Sequence, residues 1–230
     1  MQTSCSALPL VTLTCLGLFF GASAHARQPD LSANIGIAND YVFRGVSQTN
    51  GRAQISGGVD ATAGGLYAGA WTSNVDFGNS TTAEIDLYAG LRPTVGKVSL
   101  DLGVLYYGYV DAPKGSDLNF TELKAAASLP VGKATVGLMT AYAPNYQGGL
   151  DHALYYEANA AAPLSDRVML SAAVGRQTVS GPADYATWNV GLAYALTKTL
   201  SLDVRYHDTD DHSLGKTYGR RVAASLKASF

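Results

Sequence analysis

Charge is scarce in this chain of 230 residues: Asp, Glu, Lys and Arg make up 15 % of it, against roughly 25 % in an ordinary soluble domain. The formal net charge is −2. There is no basic excess with which to neutralise phosphates, so nucleic acid is excluded as a partner. Cysteine is confined to Cys5 and Cys15. Histidine is rare, with four in the chain, and no zinc ligand set, phosphate loop or Gly-x-Ser-x-Gly elbow occurs. No apolar run reaches the roughly 20 residues that a membrane helix needs. These absences argue against a disulfide scaffold, a helical membrane bundle, a coiled coil and the common hydrolase and nucleotide-binding frameworks. What is abundant is Gly, at 25, and Tyr, at 14. An all-β protein remains.

The first 26 residues carry no charged side chain, and Leu8 to Phe20 is mostly apolar. Ala24-His25-Ala26 follows as a small-x-small pattern, which predicts a leader cleaved after Ala26 and a mature domain over residues 27–230. Both cysteines fall in the leader. The exported chain then holds together without disulfides.

Beyond the leader the sequence alternates with period two. Ala83, Ile85, Leu87, Ala89 and Leu91 oppose Glu84, Asp86, Tyr88, Gly90 and Arg92. Leu200, Leu202, Val204 and Tyr206 oppose Ser201, Asp203, Arg205 and His207. One face is continuously apolar and the other carries charge and small residues, the signature of strands. The pattern predicts twelve strands, at about 31–43, 53–62, 66–73, 83–92, 98–109, 119–129, 134–143, 153–162, 167–177, 185–195, 200–208 and 219–230. Their connections alternate between short turns and longer polar loops. That alternation is the pattern of a transmembrane up-and-down antiparallel β-barrel, with both termini on the short-turn side. A short motif recurs at the turns, as in Arg92-Pro93-Thr94-Val95-Gly96-Lys97 and Leu129-Pro130-Val131-Gly132-Lys133. The repeat unit is a β-hairpin, with no sign of a second domain.

Aromatic residues gather at strand ends. Tyr41, Phe43, Trp71, Tyr106, Tyr142, Tyr156, Trp188 and Tyr206 lie toward the long-loop ends, and Tyr194 and Phe230 toward the other. Two such girdles suit rings that are apolar in body and polar at the tip, sitting at the headgroups of an outer membrane and its lipopolysaccharide. The last strand, Val222-Ala223-Ala224-Ser225-Leu226-Lys227-Ala228-Ser229-Phe230, ends on an aromatic in register with its apolar face. It is similar to the signal read by the barrel-insertion machinery of Gram-negative outer membranes, which makes that machinery a predicted partner.

A family resemblance rests on three blocks: Asp40-Tyr41-Val42-Phe43-Arg44-Gly45-Val46-Ser47-Gln48-Thr49, Gly65-Leu66-Tyr67-Ala68-Gly69-Ala70-Trp71-Thr72-Ser73-Asn74-Val75-Asp76-Phe77-Gly78, and Glu84-Ile85-Asp86-Leu87-Tyr88-Ala89-Gly90. Together they resemble the TorF family of proteobacterial porin-like proteins. The resemblance implies an outer-membrane β-barrel acting as a channel. It brings neither catalytic residues nor a defined solute.

In this register the inward face carries Asp40, Arg44, Asp60, Glu84, Asp86, Arg92, Asp101, Glu122, Lys124, Glu157, Asp203, Arg205, Arg221 and Lys227. Charges inside an apolar envelope must be hydrated or paired. They line a water-filled pore, or they fill the lumen as an ion-pair network. Twelve strands lie between the filled barrels of eight and the open channels of 16 to 18, and a narrow pore is the favoured reading. Arg44, near the outer mouth, is a candidate constriction residue facing acids such as Asp86 or Glu84. No long inward-folding loop is visible, which favours a monomer. The run His207-Asp208-Thr209-Asp210-Asp211-His212 reads as a solvated acidic loop, and as the nearest thing to a metal or protease site. No cofactor is implied. The expected role is passive diffusion of ions or small polar solutes. The alternatives are a closed structural or adhesive barrel working through its loops, and an outer-membrane barrel enzyme.

Overall fold

The computed structural model describes residues 28–230, so the predicted leader, with Cys5 and Cys15, lies outside the described residues. Twelve long strands form the wall: β1 (Asp30–Ala38), β2 (Gln54–Ala63), β3 (Leu66–Asn74), β4 (Ala83–Leu91), β5 (Val98–Val110), β6 (Phe120–Val131), β7 (Ala134–Ala143), β8 (Ala153–Pro163), β9 (Val168–Val179), β10 (Tyr185–Ala195), β11 (Leu200–Thr209) and β12 (Arg221–Ser229). Each is antiparallel to its sequence neighbours, and β12 returns to β1 in the register Asn34↔Ser229 to Ala38↔Ser225. Ala33 and Phe230 complete the seam by exchanging both backbone hydrogen bonds, at 3.1 and 2.9 Å. A closed ring leaves no wall strand with an unpaired edge, which a strand in lipid requires.

The short connections use glycine where left-handed backbone is needed. Gly64 and Gly65, with φ of 58° and 90°, make the two-residue turn between β2 and β3. Two positive φ values in succession match the twist of a hairpin, and Gly adopts them without strain.

The wall is apolar on the outside. Leu31 is 76 % exposed and Leu138 66 %, and Ile35, Ile55, Val59, Leu87, Val174 and Leu192 are exposed with them. A soluble barrel turns this face inward; here it surrounds the molecule, an arrangement suited to lipid. Tyr106, Tyr142, Tyr156, Trp188 and Tyr206 are exposed on the same outer face near the long loops, with Tyr194 and Phe230 at the opposite end.

The inner face explains the surplus of Gly and Tyr. Large inward side chains lie flat across glycines of adjacent strands. Tyr67 lies over Gly90 and Gly103, Tyr88 over Gly69, and Tyr155 over Gly175; a Cβ at any of these glycines would collide with the phenol. Flattening the rings against the wall removes voids beneath them and keeps the centre of the barrel from being filled.

The first strand departs from the sequence reading. The alternation predicts a strand to residue 43, but β1 ends at Ala38. Residues 39–53 then fold inward, with Val42–Phe43 and Val46–Ser47 forming a small hairpin of their own. Tyr41 and Phe43 therefore do not belong to a lipid-facing girdle. Tyr41 packs edge-on against Trp71, and Phe43 against Tyr107, both inside the barrel. Trp71 does not belong to the girdle either: it shares the inward face of β3 with Tyr67 and buried Ser73. These three are lumen residues. An inward-folding loop is also present after all, so its supposed absence no longer argues for a monomer.

Candidate functional site: the lumen and its inward loop

The inward loop is fastened at two points. At its root, Asp40 is buried and accepts hydrogen bonds from the Ser47 hydroxyl at 2.6 Å and the Thr49 hydroxyl at 2.9 Å. Arg221 of β12 donates to the same carboxylate at 2.9 Å, so this end is tied to the wall by an ion pair. At the loop tip, Arg44 sits in the left-handed region, with φ of 48°, and Gly45 follows at 84°. This pair of turns drives the Arg44 side chain across the lumen to β6. Its two terminal nitrogens donate to the two oxygens of Glu122, at 2.7 and 2.8 Å. A further bond reaches Gln177 of β9 at 3.1 Å. The guanidinium lies between the rings of Phe43 and Tyr155, 4.6 and 4.4 Å from their centroids. The Arg44 and Glu122 side chains are only 8 % and 2 % exposed. Tyr107 donates to Glu122 as well, at 3.0 Å. A planar guanidinium matched to a carboxylate and stacked on aromatic faces is the strongest form of such a pair.

Tyr41 adds a third contact, donating to Glu84 of β4 at 3.0 Å. The acids Glu84 and Asp86 follow each other on the inward face of β4, both buried, and neither forms an ion pair among the described residues. One Asp86 carboxyl oxygen is buried without a hydrogen-bond partner.

Elsewhere the inward charges are mostly paired. Asp101 receives Lys124 at 3.0 Å, Arg92 at 3.4 Å and the Tyr67 hydroxyl at 2.7 Å. Arg205 holds Asp203 and also reaches Asn189 and Ser171. Asp60 is capped by the Tyr88 hydroxyl at 2.6 Å, and Glu157 by Tyr155 at 2.7 Å. Lys227 has no ion-pair partner among the described residues.

All the inward positions read from the sequence thus lie on the lumen side, but two of them, Asp40 and Arg44, sit on the loop instead of on β1. The loop gathers Asp40, Glu84, Asp86 and Glu122 against Arg44 and Arg221. The remaining Asp60, Asp101, Glu157 and Asp203 are matched in number by Arg92, Lys124, Arg205 and Lys227. The acidic excess of the inward face is therefore concentrated at the constriction. Arg44 does face an acid across the lumen, but the partner is Glu122 and not Glu84 or Asp86. Sequence reading missed Gln177, Tyr107 and Tyr155 as partners of this site. A signal was available: in the runs Tyr106-Tyr107 and Tyr155-Tyr156 one ring of each pair must point inward.

Space remains on both sides of the loop. Inside lie cavities of about 340 Å³, under Phe43, Arg44 and Gly45, and about 300 Å³, under Asp40, Tyr41 and Val42. His207 borders both. Outside, a cavity of about 570 Å³ opens between the long loops. The His207–His212 run does not converge on one centre. His207 faces the lumen, His212 pairs with Asp208 at 2.7 Å, and Asp210 accepts from the backbone of Ala186. Among the described residues no three His, Cys, Asp or Glu side chains gather in a way that could hold a metal ion.

Porins are among the solved structures that this barrel resembles. The KdgM porin superposes with a TM-score of 0.63 at 11 % identity, over 86 % of this chain and 99 % of that one. The KdgM porin in complex with disordered oligogalacturonate gives 0.62 at 10 % identity, over 87 % and 98 %. The NanC porin gives 0.54 at 8 % identity, over 87 % and 98 %. At these identities the likeness is one of fold. No curated protein matches the sequence. The model of a bacterial family of unknown function, Gcw_chp, matches residues 22–230, nearly the whole chain, and the protein belongs to that family.

Proposed function

We propose that the protein is a porin-like channel of a Gram-negative outer membrane, passing ions or small polar solutes passively through a charged, narrow lumen. The first outer loop forms its constriction. The observation that carries this reading is the inward loop itself: one layer of side chains, centred on Phe43 and Arg44, separates the outer cavity from the inner ones in a lipid-facing barrel. Charges facing a water-filled lumen tune which solutes pass. The porin fold of KdgM and NanC supports the reading, and so does the resemblance of the three sequence blocks to the TorF family. Export by the predicted leader, and recognition of Phe230 by the insertion machinery, belong to the same proposal. Liposome swelling tests it. Vesicles with the refolded barrel should swell in small polar solutes and lose this response as solute size rises; vesicles that behave like protein-free controls for every solute contradict it.

A closed barrel is the second reading, favoured by the two-pronged Arg44–Glu122 pair, which seals one side of the lumen. In that case function lies in the outer loops, and only variants that free Arg44 would conduct.

A further inference from the structure

The lumen and the outer vestibule differ in chemistry. Below the loop, the two inner cavities are bordered by Glu122, Lys124, Glu157, Asp203, Arg205 and Lys227. Above it, the 570 Å³ cavity is bordered by the amides Gln48, Asn50, Asn79 and Gln147 and by the rings of Phe77 and Tyr218. Its only charged residues are Asp76 and the exposed Lys216. Asp76 is already engaged, by Arg52 at 2.7 Å and by the backbone of Gly78 at 3.0 Å.

The amides keep free hydrogen-bonding capacity. Gln48 spends its NH₂ on the carbonyl of Val46, leaving its oxygen. Asn79 spends its oxygen on the backbone N–H of Thr81, leaving its NH₂. Gln147 makes only a long contact, 3.5 Å, to the Tyr146 hydroxyl. A second cavity of about 160 Å³ beside it is lined by Tyr146, Tyr185, Gln177 and Phe43. It shares Val46, Gln48, Gln147 and Tyr218 with the larger cavity, and so lies between that cavity and Phe43.

We propose that this vestibule binds a neutral, hydroxyl-rich solute of one or two sugar rings. A hydroxyl both donates and accepts, and amides present both functions without charge. Rings of Phe and Tyr offer flat apolar faces to the C–H side of such a molecule. The volume lies within the range of small-molecule sites, about 300–1,000 Å³. With Asp76 held by Arg52, the one charge left over is the exposed Lys216, and a single solvated ammonium holds an anion only weakly. The proposal names a solute class for the channel proposed above and rests on that reading only for passage, since binding needs no open lumen.

The test is a saturation-transfer NMR titration of the refolded full barrel in a detergent without a sugar headgroup. The probes are maltose and sodium glucuronate. Maltose should bind in the millimolar range and more tightly than glucuronate. Gln147→Ala and Phe77→Ala should each weaken maltose binding about fivefold to tenfold, as the loss of one good contact implies, while the barrel stays heat-modifiable on a gel. Absence of maltose binding, binding by both variants as tight as by the wild-type barrel, or tighter binding of glucuronate would overturn the proposal. Maltose binding by a barrel that does not conduct would leave this inference standing and remove the channel; conduction without maltose binding would do the reverse.

Discussion

Arg44 and Glu122 are 78 residues apart in sequence and meet across the lumen in a two-pronged ion pair, 2.7 and 2.8 Å, almost wholly removed from solvent. The pair converts a surface loop into a crossbar. Removing one partner of a buried pair leaves the other charge uncompensated, at about 3–5 kcal/mol. Arg44→Ala should therefore lower the unfolding midpoint and raise single-channel conductance, because the loop loses its hold on β6. Adding Glu122→Gln should recover part of the stability while keeping the higher conductance. An Arg44→Ala barrel unchanged in both respects would mean the pair is not the fastening.

Gly45 tests the same loop from the backbone side. It sits at φ 84°, and a Cβ there would strike the Thr187 side chain. Gly45→Ala should dislodge the loop tip, at about 1–3 kcal/mol, and mimic the conductance of Arg44→Ala. Gly51 has a similar φ of 75° but open space around it, so Gly51→Ala should leave conductance alone.

The barrel contains two tryptophans, and they face opposite ways: Trp188 is exposed on the wall, while Trp71 packs on Tyr41 inside. Brominated lipids should quench the fluorescence of Trp71→Phe, whose only tryptophan is Trp188, and should leave that of Trp188→Phe nearly unchanged. Equal quenching of both variants would place the loop and β3 wrongly.

The flat tyrosines depend on their glycines. Gly90→Ala would push a methyl group into the Tyr67 phenol and the carbonyl of Leu102. Overpacking of this kind costs about 1–3 kcal/mol, read as a fall of several degrees in the midpoint of heat modification. Tyr67→Ala combined with Gly90→Ala should be less than additive, because the collision with the phenol is gone and only that with the Leu102 carbonyl stays. Additive losses would show that the two do not touch.

The wall was legible in the sequence because lipid on one side and charge on the other force strict alternation: β4, β11 and β12 fall within two residues of their predicted bounds. The inward loop was not legible. Asp40-Tyr41-Val42-Phe43 continues the alternation of β1, and period two does not record whether a chain is still bonded to its neighbours. The punctuation lay in Arg44-Gly45 and Asn50-Gly51, two turn pairs within eight residues, both of which adopt positive φ. The same blindness misplaced Tyr41, Phe43 and Trp71, since an aromatic near a strand end satisfies a girdle and a lumen equally. The partners of Arg44 depend on how far a loop reaches across the barrel, a distance that no local pattern encodes.

A channel narrowed by the Arg44 layer is tested by single-channel recording in a planar bilayer with a salt gradient. The wild-type barrel should give small discrete steps, Arg44→Ala larger ones, and the reversal potential should follow the charges gathered at the loop. A correctly folded barrel that stays silent in both forms would contradict such a channel.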